Sequence, residues 1–343
     1  MMQNNFWENP ANFLQHHRPT HGFNGYNQRS QTQGKQKNDI HAIFHDVFQS
    51  SPQTTSQTTF QSRPQTTSQT TFQSSPQTTS QTTFTTSKEQ ISTETGFINH
   101  GNFCYLNAVT DVLCRTRIFK NFDNSDVLIL NFLGNIYSIK SQTDASLLAD
   151  IVNDENKIIK KNISSCEHYN VATQSDACEF LLDIFNILEF RSNAMMKQLF
   201  EYSCVHNKKK HSETGSVYTL DLPFTTSQPL QRVFDCYDNG DYHFTKFGEY
   251  FVVYFKRFGG TNNDIRKKSV PIIMSNQIVF QKFRFEPIAV IEHIGNTLRS
   301  GHYVSYRKID SKPNCWAKTN NTHITEVQTQ DIINPYIIFF KKM

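Results

Sequence analysis

Cys104 stands where a loop of Gly and Asn residues, TGFINHGN (95–102), runs into an amphipathic stretch, YLNAV (105–109). A thiol at such a junction lies at the positive end of a helix macrodipole, among N–H groups with no intrahelical acceptor. That setting favours thiolate and lowers a pKa that is about 8.5 in free cysteine. Gly96 and Gly101 allow turns that other residues resist and leave a substrate backbone room to approach. A lone free cysteine is as readily a buried structural one, so a base must be found, and a base needs an acceptor to orient it. His302 opens GHYVSYRK after the polar stretch HIGNTLRSG, which predicts a ring at the start of a strand on a sheet edge, with Gly301 leaving space beside it. After the strand-like CWAK (315–318) come Asn320 and Asn321. Either could accept the Nδ1 proton and hold the tautomer in which Nε2 faces Cys104. His293 and His323 lack a flanking Gly and read as satisfied structural histidines.

These groups need a scaffold that brings residue 104 to residue 302. Tyr105, Ala108, Val109, Val112 and Leu113 recur at helical spacing, as do Ala177, Phe180, Leu181, Ile184 and Leu188, so both segments are core-facing helices. Later, 249–258, 285–293, 301–309 and 334–340 are short, β-branched and aromatic, with turn residues between them, which predicts strands in antiparallel pairing. Helices followed by strands, without strict alternation, make an α+β protein with a helical lobe beside a sheet lobe and a cleft between them.

The surrounding residues resemble the ubiquitin-specific proteases. The Cys segment of that family, Gly-Leu-x-Asn-x-Gly-Asn-x-Cys-Tyr-x-Asn, is matched by Gly96, Asn99, Gly101, Asn102, Cys104, Tyr105 and Asn107, with Phe97 in the Leu place. The family's Gln-Gln-Asp-Ala-x-Glu-Phe helix resembles Gln174 to Phe180, departing at Ser175, and Leu-Lys-Arg-Phe resembles Phe255 to Phe258. Gly-His-Tyr-x-x-Tyr is matched by Gly301, His302, Tyr303 and Tyr306, and Trp-x-x-Phe-Asp-Asp resembles Trp316 to Asn321. The resemblance implies a papain-like fold of helical thumb, β-sheet palm and fingers, and hydrolysis of the isopeptide or peptide bond after the C-terminal Gly of ubiquitin. It implies Cys104 as nucleophile, His302 as base, Asn320 as its orienting partner and Asn99 as an oxyanion donor. It also implies that Asp176, Glu179 and Tyr303 touch the substrate. Asn320 and Asn321 replace the paired Asp residues common at that place, which leaves the third member open between them. The family's fingers commonly bind zinc through two Cys-x-x-Cys pairs. This chain has none, and Cys204, His206, His211 and Cys236 lack the count and spacing of a structural zinc site, so no metal or other cofactor is expected and the fingers should be small and apolar. A ubiquitin-binding scaffold without activity, or a protease for SUMO or NEDD8, are the rival readings; a transglutaminase-like enzyme is disfavoured by the His and Asp176 segments.

Bulk properties agree with an intracellular protein. The net charge of +4 on 343 residues is too small to call for nucleic acid. The longest apolar run, such as Tyr336–Phe340, is far below the ~20 residues that span a bilayer, so no membrane partner is expected. Seven cysteines without framework spacing, behind an N-terminus that lacks a signal pattern, predict free thiols in the cytoplasm or nucleus. Residues 1–94 form a second compositional region, rich in Asn, Gln, Ser and Thr, in which a twelve-residue unit, FQSxPQTTSQTT, repeats three times between Phe48 and Phe84. One Phe and one Pro per unit cannot offset an ordering cost of about 1–2 kcal/mol per residue, so a disordered tail is expected before a catalytic domain at 95–343. Within that tail the apolar stretch Ile43–Phe48 could serve as a docking peptide.

Overall fold

The structure, a computed structural model, describes residues 94–122, 127–138, 143–159, 169–206, 210–238, 240–261, 264–297 and 300–343. The repeat tail and the stretch 43–48 lie outside the described residues. Among the described residues the α-helices are α1 (Cys104–Arg115), α2 (Leu128–Ser138), α3 (Ser146–Ile159), α4 (Ala177–Arg191), α5 (Asn193–Leu199) and α6 (Leu230–Asp235). The strands, in chain order, begin with β1 (Phe97–Ile98), β2 (Thr143–Asp144), β3 (Tyr202–His206), β4 (His211–Gly215), β5 (Val217–Asp221) and β6 (Gln228–Pro229). There follow β7 (Tyr242–Phe247), β8 (Tyr250–Lys256), β9 (Phe258–Thr261), β10 (Asp264–Lys267), β11 (Ile272–Ile273) and β12 (Ile278–Phe280). The last are β13 (Phe283–Ile294), β14 (His302–Lys308), β15 (Cys315–Asn320), β16 (His323–Gln328) and β17 (Pro335–Lys342).

The architecture is α+β, with helices gathered before a mixed sheet. The main sheet runs β16-β15-β14-β13-β17-β8-β5, and β12 adds beside β13. Its ladders are antiparallel except at one end, where β5 pairs with β8 in parallel. The four strands expected from sequence, β8, β13, β14 and β17, pair antiparallel as expected, and the parallel partner β5 is an addition to them. One correction concerns β14, which is interior: β15 returns against it and β16 closes the edge beyond.

Helix α1 is the hub. Every residue from Cys104 to Cys114 is buried, as befits a helix enclosed on all sides. It packs against β13, β14 and β15 on one side and α2, α3 and α4 on the other. Helix α4 is started by Asp176, whose Oδ1 accepts from the N–H groups of Cys178 at 2.7 Å and Glu179 at 3.2 Å, satisfying two of the first-turn donors that a helix leaves unpaired. The family-like Phe-Lys-Arg-Phe stretch has a structural role here. Arg257 is fully buried and donates to the carbonyls of Pro335 at 2.7 Å, Lys268 at 3.0 Å and Val270 at 2.9 Å, joining the ends of β8 and β17 to the segment after β10.

A three-stranded sheet, β4-β3-β7, forms the fingers. Its inner face joins the palm through aromatic rings: Phe244 stacks on Phe247 with centroids 5.1 Å apart, and Phe247 meets Phe251 at 4.7 Å and Phe285 at 5.0 Å. Pairs at such separations contribute about 0.5–1.5 kcal/mol each beyond their buried area. Much of the unusual Phe content is spent in this seam. The donors in this segment do not suit zinc. Cys204 is buried in the apolar cluster with Phe244 and Tyr202, and burial pushes its thiol up to about 12, whereas a zinc ligand must be thiolate. Among the described residues no three His, Cys, Asp or Glu side chains are grouped to hold an ion.

Candidate active site

Cys104, His302 and Asn320 converge from α1, β14 and β15. His302 is half-buried, and its imidazole is held above its ordinary pKa, first by a hydrogen bond with Cys104 and then by one with Asn320, against the opposing effect of desolvation. His302 Nε2 lies 2.7 Å from Asn320 Oδ1. That leaves Nδ1 as the ring nitrogen toward Cys104, the reverse of the orientation expected from sequence. The ladder explains it. Ser305 is opposite Thr319, so Asn320 lies diagonally across from His302, at a spacing of about 7–8 Å between backbones. Only the ring nitrogen farther from the backbone spans that gap.

Of the two candidate asparagines, Asn320 is the one that meets His302. Asn321 has φ of 50° and is turned the other way, its Oδ1 accepting from Asn107 of α1 at 3.4 Å and its carbonyl from Phe97 N–H at 2.8 Å. This ties β1 and the Cys loop to the β15–β16 turn. Gly96 is needed there, because a Cβ would lie 1.8 Å from the Asn321 carbonyl oxygen; the space is taken by this chain, so a substrate has no use of it. Asn99 sits one turn before the nucleophile, and its Oδ1 accepts from Phe103 N–H at 3.0 Å. That bond occupies the oxygen and leaves Nδ2 as the donating end. Asn102 holds the adjacent loop by donating to Val171 O at 3.2 Å and Ala172 O at 3.0 Å.

The residues expected to touch substrate divide. Asp176 is committed within the protein: besides the two backbone N–H groups at Oδ1, its Oδ2 accepts from Tyr303 Oη at 3.0 Å and Tyr336 Oη at 2.5 Å. Four acceptor positions are about what a carboxylate has. Asp176, expected to grip the substrate, thereby serves as an internal anchor between α4, β14 and β17. Tyr303 is 2% exposed, with its hydroxyl spent on Asp176, so it supports the site from beneath. Glu179 is exposed on the first turn of α4 and is the acidic group of the three that presents to solvent.

The space beside Gly301 is likewise occupied from within. A Cβ there would lie 2.2 Å from His293 Nε2, so Gly301 lets β13 and β14 close with the His293 ring between them. The Gly301 N–H donates to Gln174 Oε1 at 3.2 Å, joining the His302 turn to the start of α4. His293 is not the satisfied histidine expected. It is buried, its Nε2 has no partner, and its Nδ1 faces Lys267 Nζ at 3.2 Å. Lys267 also donates to His293 O at 2.5 Å and Gly295 O at 2.8 Å. Nothing local marks Lys267 in the sequence, and Gln174 stood out only as part of the helix motif, with no role of its own; both act through partners more than 25 residues away.

Burial, with Lys267 and His302 nearby, lowers His293 to about 4. The unfolded chain takes up a proton near pH 6.5 that the folded one refuses, so this contribution is whole above about 6.5 and is lost as the pH falls toward 4, up to about 3 kcal/mol. Urea midpoints measured from pH 7 to 4.5 should fall less steeply in His293→Gln than in the parent. Parallel curves would mean that His293 is not held neutral.

A cysteine at a helix start, an imidazole on the facing sheet and an amide behind it, carried by a helical lobe and a palm, define a papain-like cysteine peptidase. The family model described as ubiquitin carboxyl-terminal hydrolase matches residues 95–340, and the chain belongs to that family, a group of cysteine-type deubiquitinases. Among solved structures, the Ubp8/Sgf11/Sus1/Sgf73 deubiquitinating module of SAGA bound to ubiquitin aldehyde is similar with a TM-score of 0.55 at 17% identity, over 76% of this chain and 72% of that one. An essential yeast splicing factor is similar with a TM-score of 0.58 at 16% identity, over 73% and 69%. No curated protein sequence matches. At these identities the neighbours bear on the fold alone.

Proposed function

We propose that residues 95–343 cleave the isopeptide or peptide bond after the C-terminal glycine of ubiquitin through Cys104, His302 and Asn320. The observation that carries this reading is the unbroken contact from Cys104 through His302 to Asn320 Oδ1, with the last link at 2.7 Å. Cys104 Sγ attacks the glycine carbonyl. His302, charged in the resting pair, returns its Nδ1 proton to the departing lysine amine, which leaves a thioester on Cys104. Water, deprotonated by the now neutral ring, then hydrolyses the thioester and regenerates the pair. The oxyanion formed in each step is met by the Cys104 backbone N–H and Asn99 Nδ2, a contact worth about 2.7–4 kcal/mol of barrier where such a donor has been removed. Glu179, exposed beside the cleft, supplies charge for the basic residues of a ubiquitin tail.

The test is ubiquitin bearing a C-terminal thiol-reactive electrophile, applied to the full chain and to Cys104→Ala. Labelling should map to Cys104 and vanish in the variant. Labelling elsewhere, or none, overturns the reading and leaves a binding scaffold; faster labelling by SUMO or NEDD8 probes would reassign the modifier. Asn320→Ala gives a finer check. The Asn320 bond raises the His302 pKa, so its loss lowers the pH at which the imidazolium disappears. The alkaline limb of the kcat/KM profile should move to lower pH, and a limb that stays in place would remove Asn320 from the triad.

A further inference from the structure

Beneath the catalytic pair lies a group of charges that the reaction does not use. Asp111, two turns along α1 from Cys104, is fully buried. Its Oδ2 accepts from Ser305 Oγ at 2.7 Å and from Arg307 Nε at 3.3 Å, and both partners belong to β14, the strand that His302 begins. Its Oδ1 faces Arg115 Nε at 3.3 Å, an ion pair within α1 that lacks the alignment of a hydrogen bond. Arg307 and Arg115 also share Glu94, whose Oε2 lies 2.6 Å from Arg307 Nη2 and 3.2 Å from Arg115 Nη1. Two carboxylates thus meet two guanidiniums, and the cluster is neutral as a whole. Burial alone would lower the Arg307 pKa, but Asp111 and Glu94 outweigh it and raise it.

A buried ion cluster is weak evidence for stability, since desolvation offsets much of its attraction; fixing one register among several is a better supported use. Apolar contacts between α1 and β14 would tolerate small slides or rotations of the helix. Directional bonds from Asp111 to Ser305 and Arg307 would not. Because Cys104 rides on α1 and His302 on β14, any slide between these elements is a change in the thiol–imidazole geometry. Glu94 completes the cluster from the segment just before the Cys loop, and Arg115 additionally bonds the Thr95 carbonyl.

We infer that the Glu94–Asp111–Arg115–Arg307 cluster is a positioning device that sets the register of the nucleophile helix on the base strand, with Asp111 and Glu94 acting on the reaction through Cys104 and His302. The inference rests on the Cys104–His302 reading above. Misplacement by about 1 Å at a reacting group can cost on the order of a hundredfold in rate. The full chain and its Asp111→Asn, Arg307→Met, Arg307→Lys, Glu94→Gln and Cys104→Ala variants should be compared on ubiquitin C-terminal aminocoumarin amide. The readouts are kcat, KM, melting temperature and the pH profile of Cys104 carbamidomethylation, followed by mass spectrometry. Asp111→Asn should lower kcat about tenfold to a hundredfold, leave KM within about twofold and displace the alkylation profile. Arg307→Lys should retain more kcat than Arg307→Met.

Glu94 is a third exposed at the rim, with 34% of its side chain accessible, so Glu94→Gln folds even where Asp111→Asn does not, and it should lower kcat severalfold with a displaced profile. Unchanged kcat and alkylation profile in Glu94→Gln and in whichever Asp111 or Arg307 variants fold, whatever their melting temperatures, would overturn the inference. Activity that survives Cys104→Ala would instead overturn the catalytic reading, whereas an inactive Cys104→Ala beside unaffected Glu94 and Asp111 variants would overturn the cluster's role alone.

Discussion

Replacing His302 by Ala should lower kcat for a ubiquitin amide by about 10⁴-fold or more while leaving KM within a few-fold, the pattern for a group that acts only in the transition state. His302 is half-buried, touches Cys104 and is held by Asn320. Without it the thiol has no partner that stabilises its charged form and the departing amine has no proton donor. Binding should persist, because the ring occupies one point of a large ubiquitin interface. The measurement is steady-state kinetics on the aminocoumarin amide, with ubiquitin affinity from titration calorimetry. A loss confined to KM would mean that His302 serves binding and that another group is the base.

Asp176→Ala should have the largest effect on stability, about 3–4 kcal/mol. Loss of the N-cap of α4 costs about 1 kcal/mol, the buried hydroxyl of Tyr303 is left without its acceptor at about 1–2 kcal/mol, and that of Tyr336, also buried, keeps only its longer contact with Tyr254 Oη at 3.3 Å and loses about 1 kcal/mol. In a domain of this size that corresponds to a fall in melting temperature of roughly 6–16 °C. Asp176→Asn keeps an oxygen for the cap but turns an N–H2 group toward two hydroxyls that both donate, so it should recover only part of the loss. Glu179→Ala, by contrast, should leave the melting temperature within a degree or two and raise KM. Calorimetry of the three variants separates these cases; a stable Asp176→Ala with raised KM would restore Asp176 to substrate binding.

Which parts of this site were legible in sequence follows from distance along the chain. Cys104, with its loop and helix, is a local arrangement, and so is His302 at the opening of a strand; residue type and spacing suffice for both. The strands around 250–256, 283–294, 302–308 and 335–342 carried enough β-branched and aromatic residues to be read directly. What escaped depends on long-range pairing. The diagonal placement of Asn320 against His302 decides which ring nitrogen faces the thiol, and that placement follows from the β14–β15 register. Gly96 looked like room for a substrate and Gly301 like space beside the His302 ring, and both turn out to admit parts of this chain, the Asn321 carbonyl and His293. Asp176 looked like a surface carboxylate because Tyr303 and Tyr336, which consume it, lie 127 and 160 residues away. Asp111 carries no local mark in the sequence at all, since its partners Ser305 and Arg307 are nearly 200 residues distant.

The place of β17 has a consequence for biosynthesis. This strand lies between β13 and β8, yet it comes later in the chain than either, and later than all the catalytic groups. Until residues 335–342 have left the ribosome, the sheet exists at most as two separate halves, one carrying β14 and β15 and the other β8 and β5. Pairings of such long sequence separation form slowly. From the emergence of residue 104 to that of residue 335 the nascent chain therefore carries Cys104 with no assembled partner for it, and the sheet closes in one step, when the two halves are joined.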